Sequence, residues 1–159
     1  MIDKQAISKR FFLCYHDKSR RELAKLLGVK KPTVTQWATD GRVPWRRLNY
    51  LSGSQAVSWD WLIDGMEPKG SIKAAIVPSS TKPEFDKNGI NKRFLSLFAN
   101  MTQTQIAKIF DITPAAVNEW DAGTHQVPWN RLDYAVHTFA VRWDWLLDGL
   151  EPKYREREE

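Results

Sequence analysis

Apolar residues recur along the chain at helical rather than alternating spacing. Ile7, Phe11, Cys14 and Tyr15 stand at i, i+4, i+7 and i+8, which predicts a first helix with one core-facing side. Ser19 followed by Glu22 forms a capping box that starts a second helix. Leu23, Ala24, Leu26 and Leu27 give that helix its apolar face, and Gly28 ends it. Val29 then re-enters the core. A third helix begins near Lys30 to Pro32, where proline is tolerated in a first turn. Val34 and Trp37 share its inner face, while Lys30, Lys31, Thr35 and Gln36 fall on the outer one. Pro44-Trp45 opens a fourth helix, and WDWLIDG forms a fifth, stopped by Gly65 and Pro68. No segment demands a strand, so the expected fold is all-α.

The same pattern occurs twice. Residues 4–69 recur at 87–153: Arg10, Leu23, Ala24, Val34 and Trp37 match Arg93, Ile106, Ala107, Val117 and Trp120 at an offset of 83. From Pro44 and Pro128 onward the offset is 84, so the second copy carries one extra residue between Trp120 and Pro128. A period this long implies two folded domains in tandem rather than a solenoid. The expected division is a domain over 1–69, a linker over 70–86, a second domain over 87–153 and a frayed charged tail over 154–159. Each copy of about 65 residues is near the lower limit for a stable core. Its four tryptophans, each able to bury about 150–250 Å², are expected to fill that core rather than stack on single-stranded bases. As a flexible chain the linker reaches about 20–25 Å and fully extended about 55 Å. Half-sites one turn apart on a duplex lie about 34 Å from centre to centre.

Charge separates the copies. The chain has a formal net charge of +5, with a pI near 9.4. Residues 1–69 hold 13 Lys and Arg against 7 Asp and Glu, whereas residues 87–153 hold 7 of each. A polyanionic partner for the first copy is the natural expectation. One cysteine, Cys14, permits no internal disulfide and no zinc site, and is expected to be core filler. No apolar run is long enough to span a membrane and no signal peptide is visible, so a soluble cytoplasmic, nucleoid-associated protein is expected.

Ala24, Gly28, Val34 and Trp37 follow one another at intervals of four, ten and thirteen from the first, in the order small, turn, β-branched, large apolar. This stretch resembles the helix-turn-helix of lambda-type phage repressors. Ile7 to Lys69 resembles the N-terminal DNA-binding domain of phage CI repressors, and SWDWLIDGMEP is similar to its W-L-x-G ending. The resemblance implies two tandem lambda-repressor-like domains. It also places Arg20 and Arg21 where the motif's first helix crosses the DNA backbone. With Arg42, Arg46 and Arg47 they are the candidate phosphate contacts. Lys30, Lys31, Thr33, Thr35 and Gln36 are the candidates for base edges, since a glutamine amide pairs with adenine and lysines reach guanine acceptors.

The second copy keeps the scaffold. Thr102 and Gln105 form its capping box, and Gln103 stands where the family often has a phosphate-contacting glutamine. Asp111 departs from the pattern, replacing the turn glycine. The outer face becomes Thr113, Pro114, Ala115, Asn118 and Glu119, without lysine or arginine; Thr113, Ala115, Asn118 and Glu119 are its base-contact candidates. Two readings stand: a weak reader tethered beside the first domain, or a protein-binding or dimerising face.

Full-length CI repressors usually add a dimerisation and self-cleavage domain, for which this chain has a second DNA-binding-type domain instead. The expected function is therefore a non-enzymatic, sequence-specific double-stranded DNA-binding regulator of phage-repressor type, acting as a homodimer or an internal pseudo-dimer. The alternative is a protein-interaction adaptor or antitoxin-like protein. A DNA recombinase fragment is the enzyme class weighed and set aside. Asp60, Asp64, Asp144 and Asp148 occupy helix ends where capping and solvation suffice, and His16, His125 and His137 are unmatched between copies. No glycine-rich phosphate loop or metal-ligand cluster occurs, so neither a cofactor nor a metal is expected.

Overall fold

A computed structural model describes residues 2–67 and 86–155. The chain divides into two compact units, residues 2–84 and 85–159, and the described residues of each form five helices. The first unit contains α1 (Lys4–Leu13), α2 (Arg20–Leu27), α3 (Lys31–Asp40), α4 (Trp45–Ser54) and α5 (Trp59–Asp64). The second contains α6 (Lys87–Ser96), α7 (Gln103–Phe110), α8 (Pro114–Asp121), α9 (Trp129–Phe139) and α10 (Trp143–Asp148). The fold is all-α, and among the described residues no helix is long and apolar enough to cross a membrane. Most of the expected linker lies outside the described residues. Its last residue, Asp86, caps α6 by accepting the Gly89 N–H at 2.9 Å.

Local chemistry sets the helix ends as the spacing predicts. Ser19 Oγ accepts the Glu22 N–H, and Glu22 Oε2 accepts the Ser19 N–H at 2.8 Å. Thr102 and Gln105 repeat this exchange. Gly28 ends α2 in the left-handed conformation, with the Val29 N–H bonding the Ala24 carbonyl. Asp111 takes the same conformation, φ 51°, after α7. Its short polar side chain tolerates this backbone better than most.

Each core is built around aromatic pairs at matching places. Phe11 meets Trp37 edge-on at 6.4 Å, and Phe94 meets Trp120 at 5.9 Å. Trp59 and Trp143 are fully buried, each 6.4 Å from a half-buried partner, Trp45 and Trp129. The tryptophans are thus largely enclosed.

One arginine ties the first helix of each unit to the last. Arg10 Nη1 donates to the carbonyls of Leu62 and Ile63 at 3.2 and 2.8 Å. Arg93 donates through Nε and Nη2 to Leu146 and Leu147 at 2.8 and 2.9 Å. These carbonyls close short helices whose last acceptors have no intrahelical donor. Burial pushes the Arg93 guanidinium below the usual arginine range, opposed by Asp86 and Asp148. Gly65 follows α5 at φ +76°, and a Cβ there would lie 2.6 Å from Arg10 Nη2, so the guanidinium rests against bare backbone.

Several expectations are corrected. Leu26 is 54 % exposed, because on a short helix it lies about 100° from the stripe of Leu23, Ala24 and Leu27. Cys14 falls beyond the end of α1 and is only half-buried. Asp60 and Asp144 are buried, and Asp144 accepts Arg142 Nη2 at 3.1 Å. Tyr154 and Arg155 are not frayed: Tyr154 bridges Val141, and the Arg155 N–H donates to the Ala140 carbonyl at 2.8 Å.

Arg10→Met should destabilise the first unit by about 2 kcal/mol, since two carbonyls lose a charged donor. Urea denaturation followed by tryptophan fluorescence checks this. Burial, reinforced by Tyr50 and Cys14, pushes the Tyr15 phenol up to about 12 against the lowering effect of Arg47. Its neutral form therefore belongs to the folded state. Stability should be intact below about pH 10 and fall as pH rises from 10 toward 12, and Tyr15→Phe should remove that loss in pH-dependent melts.

Candidate nucleic-acid interface

The outer face of α3 is held outward by what the inner face buries. Val34 and Trp37 are enclosed, and the buried Ser8 hydroxyl donates to the Trp37 carbonyl at 2.9 Å. Opposite them, a shallow depression is lined by Lys31, Pro32, Thr35, Gln36, Thr39 and Asp40. Lys30 is the N-cap residue of α3, Lys31 its first residue, and both are exposed. Gln36 is exposed, Thr35 half-buried, and Thr33 half-buried to one side. Thr39 was missed by the sequence reading. Its signal was available: it stands three and four residues beyond Gln36 and Thr35, on the same helical face.

Exposed cations stand on the elements that flank α3 along the chain. Arg20 and Arg21 are exposed at the start of α2, Arg42 between α3 and α4, and Arg46 in the first turn of α4. None of these four, nor Lys30 or Lys31, has an ion-pair partner among the described residues. Arg47 differs, being half-buried and close enough to Tyr15 to act on its phenol. A groove adjoining α3 at Ala38 adds Lys9, His16 and Lys18 beside Arg20. Lys18 pairs with Asp17 at 3.2 Å on the open surface and holds that carboxyl below its usual range. The Ser19 backbone N–H does the same for Glu22.

The second unit presents a different surface on the same frame. Gln103 opens α7 and is exposed, as are Ala115, Asn118 and Glu119 on α8. Thr113 caps α8, its hydroxyl oxygen accepting the Ala116 N–H at 3.3 Å. Glu119 Oε2 lies 3.3 Å from His125 Nδ1, and the Thr124 hydroxyl donates to the Glu119 carbonyl. The extra residue thus lets the loop fold back against the end of α8. Asn91 secures it, donating to the Trp120 and His125 carbonyls and accepting the Val127 N–H.

Four cations here serve the fold. Arg93 clamps α10, and Arg142 pairs with Asp144. Lys153 lies 4.6 Å over Trp145. Arg131, the counterpart of Arg47, donates to the Phe110 carbonyl at 3.0 Å and covers that ring at 5.2 Å.

His137 also has a carboxylate neighbour, Asp133, at 3.2 Å. Among the described residues no group of three or more His, Cys, Asp or Glu side chains is placed to hold a metal ion. No family model, curated protein or solved structure matches the chain.

Alanine at Arg20, Arg21, Arg42 or Arg46 should leave stability within about 0.5 kcal/mol, as expected for exposed side chains. Arg131→Ala should cost about 1.5–3 kcal/mol, because a helix-end carbonyl loses a charged donor. Thermal melts of the five variants separate the two groups.

Proposed function

We propose that the first unit binds double-stranded DNA in the major groove through α3, and that the protein is a sequence-specific transcriptional regulator of the repressor type. The observation that carries this reading is one exposed polar helix face, with exposed cations on the neighbouring elements of the chain that the fold does not use. α2 and α3, joined through Gly28, act as a helix-turn-helix of the lambda-repressor kind. Gln36 offers a bidentate amide to adenine, and Lys30 and Lys31 reach guanine acceptors. Arg20, Arg21, Arg42 and Arg46 neutralise phosphates, the term that dominates duplex affinity and makes it salt-dependent.

For the second unit, the Glu119–His125 contact and the engaged arginines favour the reading as a protein-contacting or dimerising surface. A carboxylate at the centre of the face opposes phosphates, and few cations there are available to offset it. Two chains, or the two units of one, would then place the reading helix on a duplex.

Selection of bound duplexes from a random pool by the full chain tests the assignment. The combined change of Lys30, Lys31 and Gln36 to alanine should weaken binding to the selected duplex at least tenfold. Arg42→Ala should lower the salt slope by about one. Glu119→Ala should leave affinity within about twofold. Unchanged binding by the triple variant would overturn the assigned face.

A further inference from the structure

We propose that Thr39 is a specificity-determining residue of this interface, its γ-methyl meeting the 5-methyl group of a thymine in the major groove. The inference rests on the duplex-binding reading above and names one element of what the helix face recognises.

Thr39 is exposed and lines the outer depression of α3 beside Thr35 and Gln36. Its hydroxyl is already committed, Oγ1 donating to the Thr35 carbonyl one turn back at 3.0 Å. That internal bond uses the hydroxyl's single donor, so the side chain offers a base only an acceptor oxygen and its methyl, and of these the methyl is the group that singles out thymine. The main chain at this point is also fixed. Gln5 Nε2 donates to the Thr39 carbonyl at 3.3 Å, and Gly41 packs so closely that a Cβ there would stand 2.7 Å from Gln5 Cδ. A methyl on a pinned backbone, next to an amide suited to adenine, matches the groove edge of an A·T-containing step. Thymine alone among the four bases displays a methyl there, and apolar contact with it is an established means of readout. The corresponding position of the second unit is Ala122, which has neither the branched side chain nor the internal bond.

The test uses the duplex selected by the full chain, with each thymine replaced in turn by deoxyuridine, which deletes only the 5-methyl. One replacement should weaken the wild-type protein about three- to fivefold, the worth of roughly one buried methyl. Thr39→Ser, which keeps the hydroxyl, should bind the thymine duplex correspondingly less well and be indifferent to that replacement. Thr39→Val, which keeps the methyl, should retain the discrimination. Melting temperatures of both variants show that the fold is intact. If no deoxyuridine has an effect, or if the effect persists in Thr39→Ser, this inference fails while duplex binding stands. If no duplex is enriched at all, both fall together.

Discussion

The last helix of each unit is only six residues long, α5 in one and α10 in the other. A helix that short is not stable by its own hydrogen bonds. Its carbonyl end must be satisfied by something outside it, and the arginine of the first helix supplies that. Once Arg10 or Arg93 is docked, the buried faces of the terminal helices are held together and the core tryptophan of the last helix, Trp59 or Trp143, is enclosed. The left-handed glycine that follows is part of the same device, because any side chain at Gly65 would occupy the place of the guanidinium. Closure of the unit from first helix to last therefore draws on a charged donor at a helix terminus, beside a core that is mostly apolar.

The same first helix also governs the outward-facing one. Ser8 in one unit and Asn91 in the other stand at equivalent positions and bond the carbonyl of the equivalent tryptophan, Trp37 or Trp120. Asn91 is longer and reaches two further backbone groups, and this is where the second unit accommodates its additional loop residue. An insertion placed after the third helix of a unit is thereby absorbed without disturbing the packing beneath it. What changes is the surface: the loop brings His125 up to Glu119, whereas the first unit carries Arg42 in that region.

Much of this fold was legible from the chain, because apolar spacing, capping boxes and turn glycines are local signals. The internal repeat then doubled every observation. Arg10 and Arg93 were visible as a matched pair, but their role was not, since the acceptors are carbonyls more than fifty residues away and carry no side-chain signature. Ser8 and Asn91 were missed for a related reason: different residues, aligned by register alone, perform one task. Leu26 was misplaced because an eight-residue helix gives periodicity too few turns to separate the edge of the stripe from its centre. For the site, exposure and charge were legible. Commitment was not: Arg47, a candidate phosphate contact, is half-buried beside Tyr15, and no local signal marks Arg131 as spent on the Phe110 carbonyl and ring.

Two copies of one scaffold bearing unlike surfaces show how the physical tasks divide. Several inward-facing positions keep the same residue in both units, as Phe11 and Phe94, Val34 and Val117, Trp59 and Trp143 do. The outer helix is free to differ, since nothing in the core senses it. Lys31 is replaced by Pro114, Gln36 by Glu119 and Thr39 by Ala122 with the buried valine and tryptophan of that helix unchanged. A surface cation contributes little to folding, so the exposed cations on α3 and its neighbouring elements that lack ion-pair partners among the described residues leave their role to be sought outside the fold. In the second unit the arginines are largely consumed within it, and the corresponding face carries no comparable surplus. The contrast between cations the fold uses and cations it does not is what distinguishes the two faces, more sharply than net charge alone.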